Sequence, residues 1–273
     1  MSDHNLDIAQ LAIYTILVIP VIYILCCHRL PGLLGWLYLC IFCQLRIVGA
    51  GLAVGKGPDD TSAAIISSIG LSPLLLAISG VLHEARHYRN PDLNRKVEIL
   101  LILLFHILVT TGLALVAVAS GSSAFSSNTS SSKSGNGDEN LLKVGIVVLL
   151  FSWAVVCACA LFSLLSTQGR RSAHAFRDGS KLLYATLFAL PFVGIRVMYS
   201  TIAILAPSKN LSVMNTALGL KLGLSFIPEL IAAIALVVVG LLTRRVGRVQ
   251  RDVESREVTT GMVGRKDGEV AQR

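Results

Sequence analysis

The sequence predicts an all-α fold, a polytopic transmembrane bundle of seven helices. Three observations predict it. Seven apolar stretches fill most of the 273 residues, and each is close to the roughly 20 residues that carry a helix across a bilayer core. Charged residues make up 15% of the chain, where a soluble domain carries about 25%, and mean hydropathy is +0.70. The basic residues between the stretches also gather on one side. Seven spans leave short loops and a tail, with no room for a separate soluble catalytic domain.

The spans are expected at 8–27, 34–54, 62–82, 97–119, 142–166, 181–204 and 218–242. The first is preceded by Asp3 and Asp7 rather than by a basic segment, so it reads as a retained span and not a cleaved signal peptide. The second carries Cys40, Cys43, Gln44 and Arg46. The third follows Asp59-Asp60-Thr61-Ser62, which suits a helix N-cap, and contains Pro73. The fourth holds His106 and runs into a Ser, Gly and Asn-rich segment, 120–140, whose composition predicts a flexible loop. The fifth holds Cys157 and Cys159; the sixth holds Pro191, Phe192, Arg196 and Tyr199; the seventh holds Pro228 and Glu229. Prolines within spans are expected to kink them and free carbonyls for buried partners. Residues 1–242 thus form the transmembrane domain. Residues 243–273 form a polar tail, with a short interfacial helix at Arg244, Arg245 and Arg248 and disorder beyond.

The loops set the orientation. The segments after spans one, three and five, together with the tail, hold 17 of the 24 Lys and Arg residues; the opposite side holds Lys56, Lys133, Lys143, Lys209 and Lys221. The positive-inside rule then places the N-terminus in the lumen and the tail in the cytosol. Two N-x-S sequons, at Asn128 and Asn210, fall on the lumenal side, where glycosylation occurs. The expected residence is the endoplasmic reticulum or another endomembrane.

The net charge of +8 does not point to nucleic acid, because it sits beside the spans as an anchor on an anionic leaflet does. The partners expected are membrane lipid and a lipophilic small molecule; protein partners are not specified. The six cysteines give no disulfide framework. Cys26 and Cys27 are either palmitoylation sites or small apolar filler. No His or Cys spacing suits a metal, and nothing requires a cofactor.

Ionisable residues at bilayer depth are expensive, about 2.5–3.5 kcal/mol on insertion scales, and face the bundle interior with partners. At about 1.5 Å of rise per residue, Arg46, Arg196 and Glu229 fall at one level, at the midplane or slightly toward the lumen. Tyr199 lies one turn from Arg196. Two readings follow: a polar pocket shared by helices two, six and seven, or a Glu229 ion pair that locks the bundle. His106 is a histidine bonded within the bundle or a ligand or proton relay. Asp59 and Asp60 are a solvated helix start or an acidic pair at the pocket mouth. His83, Glu84, Arg86 and His87 read as interfacial anchors, with Glu84 paired to His87.

Familiar seven-helix classes do not fit. Lys221 lies too close to the lumenal end for a retinal Schiff base, and the receptor signatures Asp/Glu-Arg-Tyr and Asn-Pro-x-x-Tyr are missing. So is the nucleophile elbow G-x-S-x-G.

Several blocks carry a resemblance: Gly35-Trp36 through Arg46-Ile47-Val48-Gly49, Ser68-Ile69-Gly70-Leu71-Ser72-Pro73-Leu74-Leu75-Leu76, Arg196-Val197-Met198-Tyr199, and Pro228-Glu229. Over roughly residues 10–245 the chain resembles a family of fungal seven-span membrane proteins with a domain of uncharacterised function. Proteins of this build occur beside fungal secondary-metabolite enzymes, and some fungal membrane proteins of similar size are terpene cyclases of meroterpenoid biosynthesis. By that analogy the expected activity is isomerisation of a prenylated intermediate, with or without an epoxide, by acid-initiated cyclisation. Glu229 is then the candidate acid, and Trp36, Phe192 and Tyr199 offer ring faces to a carbocation. If Arg46 or Arg196 touches Glu229, the arginines better suit an anionic substrate group, and Asp59 or Asp60 becomes the acid. A seven-helix receptor or sensor and a lipid or metabolite transporter are the competing readings.

Overall fold

The computed structural model describes residues 3–28, 30–56, 70–89, 95–126, 135–165, 173–205 and 226–243. Among them the architecture is all-helical: α1 (Asp3–Cys27), α2 (Leu30–Lys56), α3 (Leu71–Arg89), α4 (Arg95–Ser126), α5 (Gly135–Leu165), α6 (Ala173–Leu205) and α7 (Ile227–Thr243). Five of these, α1, α2, α4, α5 and α6, are long and apolar enough to cross a membrane, and α7 is a shorter apolar helix. The chain is therefore consistent with a multi-pass membrane protein. Its outer surface agrees: Ile16, Ile19, Phe162 and Leu165 are 67–77% exposed, as apolar side chains facing lipid are.

α3 is the middle of the bundle. It packs on α2, α4, α5 and α6, while α1 closes the side between α2 and α7. Nearly every residue of α3 is buried, including Ser72, Glu84 and Arg89. Since it meets protein on most sides, its composition need not match lipid, and its last turn carries Arg86, His87 and Arg89. Pro73 in α3 and Pro228 in α7 both fall in the first turn of the described helix, where a missing N–H removes no helical bond. Pro191 lies within α6, which continues through it.

Close approach comes from glycine, as in other membrane bundles where small residues let backbones meet. Gly35 on α2 and Gly80 on α3 touch backbone to backbone; a Cβ on Gly35 would stand 2.7 Å from the Val81 nitrogen. A Cβ on Gly145 would stand 2.8 Å from the Val116 side chain, which ties α5 to α4. Gly194 of α6 receives the Trp153 ring of α5, whose Nε1 donates to the Leu190 carbonyl at 3.0 Å.

Contacts fix the helix directions. Tyr14 meets Phe42 and His28 meets Trp36, so α1 and α2 run oppositely. Trp36 bonds Glu84 and Arg46 lies on Gly70, so α2 and α3 do too. Glu229 meets Arg46 and Gly240 meets Trp36, which sets α7 against α2 and alongside α1. Two polar levels result, one around Arg46 and one around Trp36. Ten residues of α2 separate them, about 15 Å at helical rise.

Several boundaries differ from expectation. The third span, expected at 62–82, is described as a helix from Leu71 to Arg89, so it reaches further past its apolar run. α4 stays helical to Ser126 and α5 starts at Gly135, which shortens the expected loop 120–140 to 127–134. That remnant lies outside the described residues, as do Asn128, Asn210, the first part of the seventh span and the tail beyond Thr243.

Candidate functional site

The first polar level is a triad. Arg46 of α2 and Arg196 of α6 both bind Glu229 of α7. Arg46 Nη2 donates to Glu229 Oε2, and Arg196 Nε donates to Oε1 at 2.9 Å. Glu229 is fully buried, Arg46 is 4% exposed and Arg196 8%. Arg196 Nη1 also donates to Ser200, one turn on along α6. The Arg46 guanidinium faces the Phe42 ring at 5.6 Å and lies on Gly70, where a Cβ would come within 3.3 Å of Nε. The glycine leaves room for a planar cation against the start of α3. Each carboxylate oxygen thus has a charge-assisted donor, and three helices far apart in sequence are tied at one point.

Tyr14 of α1 completes this level and was not singled out from the sequence, where it reads as one more aromatic in an apolar span. Its side chain is fully buried, held edge-on by Phe42 at 5.6 Å and Phe226 at 6.2 Å. Its hydroxyl lies within electrostatic reach of Glu229 and Arg46, yet has no hydrogen-bond partner among the described residues. A buried hydroxyl without a partner costs about 1–3 kcal/mol.

The second level centres on Glu84 of α3. Its side chain is fully buried, which corrects its reading as an interfacial anchor. Trp36 Nε1 donates to Glu84 Oε2 at 2.9 Å, and His28 Nε2 stands 3.8 Å from Oε1. The carboxyl rests on Gly32, where any side chain would overlap it. The Trp36 ring fills the space left by Gly240 of α7, where a Cβ would be 2.6 Å away. The neighbouring basic residues have a different partner: His83 and Arg86 reach Glu98 of α4 at 3.1 and 3.3 Å. In hindsight the pairing of a buried acid with Gly32, Gly35, Gly80 and Gly240 was the available signal, since small residues at helical spacing mark where something bulky or backbone must fit.

The other candidates separate. Trp36 belongs to the second level, not to the triad. His106 of α4 bonds the Ile102 carbonyl at 2.7 Å and lies against the Tyr38 ring at 5.3 Å, which matches a histidine bonded within the bundle. Phe192, one turn before Arg196, packs on Phe188 at 5.1 Å. Tyr199 is half-buried on α6, and Arg196 bonds Ser200 on that helix. Asp59 and Asp60 lie outside the described residues. All six cysteines are free, and Cys26 is exposed. Among the described residues no group of three His, Cys, Asp or Glu side chains gathers as metal ligands.

A family profile matches residues 1–246, nearly the whole helical part of the chain. The chain belongs to the DUF7702 family. The family is described as a domain of unknown function. No curated protein and no solved structure matches the chain. The DUF7702 match therefore covers both polar levels and assigns no chemistry to either.

The triad changes what the site can do. Both oxygens of the Glu229 carboxyl accept from guanidinium donors, so the group is engaged in a buried ion pair rather than open toward an alkene or epoxide. What the level offers instead is two cations to one anion among its described members, beside an enclosed hydroxyl.

Proposed function

We propose that this is a seven-span endomembrane protein, N-terminus lumenal and tail cytosolic, that holds a lipophilic small molecule with an anionic or phenolic head at the Arg46–Glu229–Arg196 level. One observation carries the binding part: the Tyr14 hydroxyl is sealed without a partner beside a triad of two cations and one anion. Glu229 orients the guanidiniums, Arg196 and Tyr14 meet the head group, and the apolar core receives the chain. The orientation rests on the basic residues, and the seven-span reading on six apolar helices with α3 enclosed among them.

The reaction we propose is the cyclisation of a prenylated intermediate, and it rests on the family resemblance alone. An acid, for which Asp59 and Asp60 are the candidates the sequence offers, protonates the terminal epoxide or alkene. For the epoxide, the C–O bond opens, new C–C bonds form from the alkene electrons, and a proton is lost from a neighbouring carbon. The net change is an isomerisation. Phe192 and Tyr199 are the rings we assign to the cation, on their sequence positions one turn either side of Arg196.

The test is incubation of microsomes carrying the protein with an epoxyfarnesyl aromatic acid, followed by mass spectrometry and NMR. The expected result is a cyclised product of unchanged mass, lost in Asp59→Asn/Asp60→Asn and formed with a raised KM in Tyr14→Phe. No isomer from any prenylated aromatic overturns the reaction. Saturable binding of the same molecule without an isomer would favour the receptor or the transporter.

A further inference from the structure

The second polar level is short of donors between Glu84 and His28. His28 Nδ1 lies 3.1 Å from the Ile24 carbonyl oxygen. A carbonyl only accepts, so Nδ1 carries a proton. In a neutral ring Nε2 is then a bare lone pair. It faces Thr243 Oγ1 at 3.5 Å and Glu84 Oε1 at 3.8 Å. The Thr243 hydroxyl already gives its proton to the Val239 carbonyl at 2.9 Å. Trp36 serves Glu84 Oε2, while Oε1 has no hydrogen-bond donor. Without a further proton, three acceptors meet in a site where His28 is 9% exposed, Thr243 1% and Glu84 not at all. Acceptor against acceptor in a dry site is unfavourable; one proton on Nε2 or Oε1 removes the conflict.

We propose that Glu84 and His28 form a buried proton-binding site that clamps the end of α1 to α2, α3 and α7. The proposal is independent of any substrate at the triad. The four helices meet there through His28 (α1), Trp36 and Gly32 (α2), Glu84 (α3) and Thr243 and Gly240 (α7). Other titratable groups nearby are engaged elsewhere. His83 and Arg86 bind Glu98 of α4, and Asp178 of α6 binds Lys181 at 2.7 Å. Arg89 lies over the Phe176 ring at 5.3 Å. Tyr88, one turn along α3, also reaches the Glu84 carboxyl. Burial pushes the Glu84 carboxyl up and the His28 imidazole down, so the single proton stays with Glu84, and the clamp loosens as pH rises and that proton leaves.

Trp36 reports the event, because its indole is bonded to the titrating carboxyl. The experiment uses the full chain in lipid nanodiscs with Trp153→Phe, leaving Trp36 as the only tryptophan of the two in the sequence. Its emission is followed between about pH 5 and 8, the window in which a histidine-linked site titrates. The expected result is one reversible step with the slope of a single proton, absent in Glu84→Gln and displaced in His28→Gln. Infrared difference spectra of the unsubstituted protein over the same window give a second measurement that needs no variant: a carboxyl band that disappears with rising pH. A flat Trp36 response and flat infrared difference overturn the proposal. So does a step that persists unchanged in folded Glu84→Gln, since it would belong to the Glu98 group.

Discussion

The two polar levels solve the same problem differently. Each buries one glutamate at zero exposure among helices from opposite ends of the chain. At the triad the carboxyl is matched by two guanidiniums. At the second level its partners are an indole N–H, a tyrosine hydroxyl and an imidazole, none of them a permanent cation. A residue of one type thus serves as a rigid tie in one place and as a titratable tie in the other. The difference lies in what faces it, not in how deeply it is buried.

Substitution breaks the comparison most sharply at the triad. Glu229→Gln leaves two buried guanidiniums short of a counter-charge, and removing one partner of a buried ion pair costs about 3–5 kcal/mol. A matching loss is expected in the midpoint of detergent-induced unfolding. The triple change Arg46→Met, Glu229→Met, Arg196→Met should recover most of that stability. A triple variant that stays as weak as the single one would show that the charges do more for the fold than cancel each other.

Backbone contact comes next. Gly35→Ala pushes a methyl group to 2.7 Å from the Val81 nitrogen, and overpacking of this kind costs about 1–3 kcal/mol. The prediction is a lowered unfolding midpoint with no change in any pH response. An unchanged midpoint would mean that α2 and α3 slide easily past each other.

The same Glu→Gln change at the second level should be mild. Glu84→Gln keeps an oxygen for the Trp36 indole and loses about 1 kcal/mol, the worth of a typical hydrogen bond. A loss as large as that of Glu229→Gln would place a full charge at Glu84 and erase the distinction between the levels. The smallest effect belongs to Tyr14→Phe. Without bound ligand, removal of a hydroxyl that has no partner should leave stability the same or slightly higher; a fall above about 1 kcal/mol would reveal a polar partner such as an ordered water.

The apolar helices were legible because hydrophobic length is nearly unambiguous. The common level of Arg46, Arg196 and Glu229 followed from counting residues along spans, since helical rise is fixed. Glu84 was not legible. It stands among His83, Arg86 and His87, and that surrounding charge made it look interfacial, whereas a half-turn of rotation separates the face toward Glu98 from the face toward Trp36. Tyr14 was hidden for the opposite reason: no charged residue stands within a turn of it in sequence, and its meaning comes from α2 and α7. The boundaries of α3 moved because an enclosed helix need not be apolar to its ends.

That enclosed helix has a consequence for how the protein is made. A segment ending in Arg86, His87 and Arg89 and carrying Glu84 at its inner face gains little by partitioning alone into lipid, where each such group opposes insertion. On the proposed seven-span reading, α3 would enter the bilayer with α2 beside it, along the Gly35–Gly80 seam and with Trp36 over the carboxyl. A nascent chain stopped after residue 94 and one that also lacks a native α2 should therefore part ways at the translocon, the first retained in the bilayer and the second slipping through it.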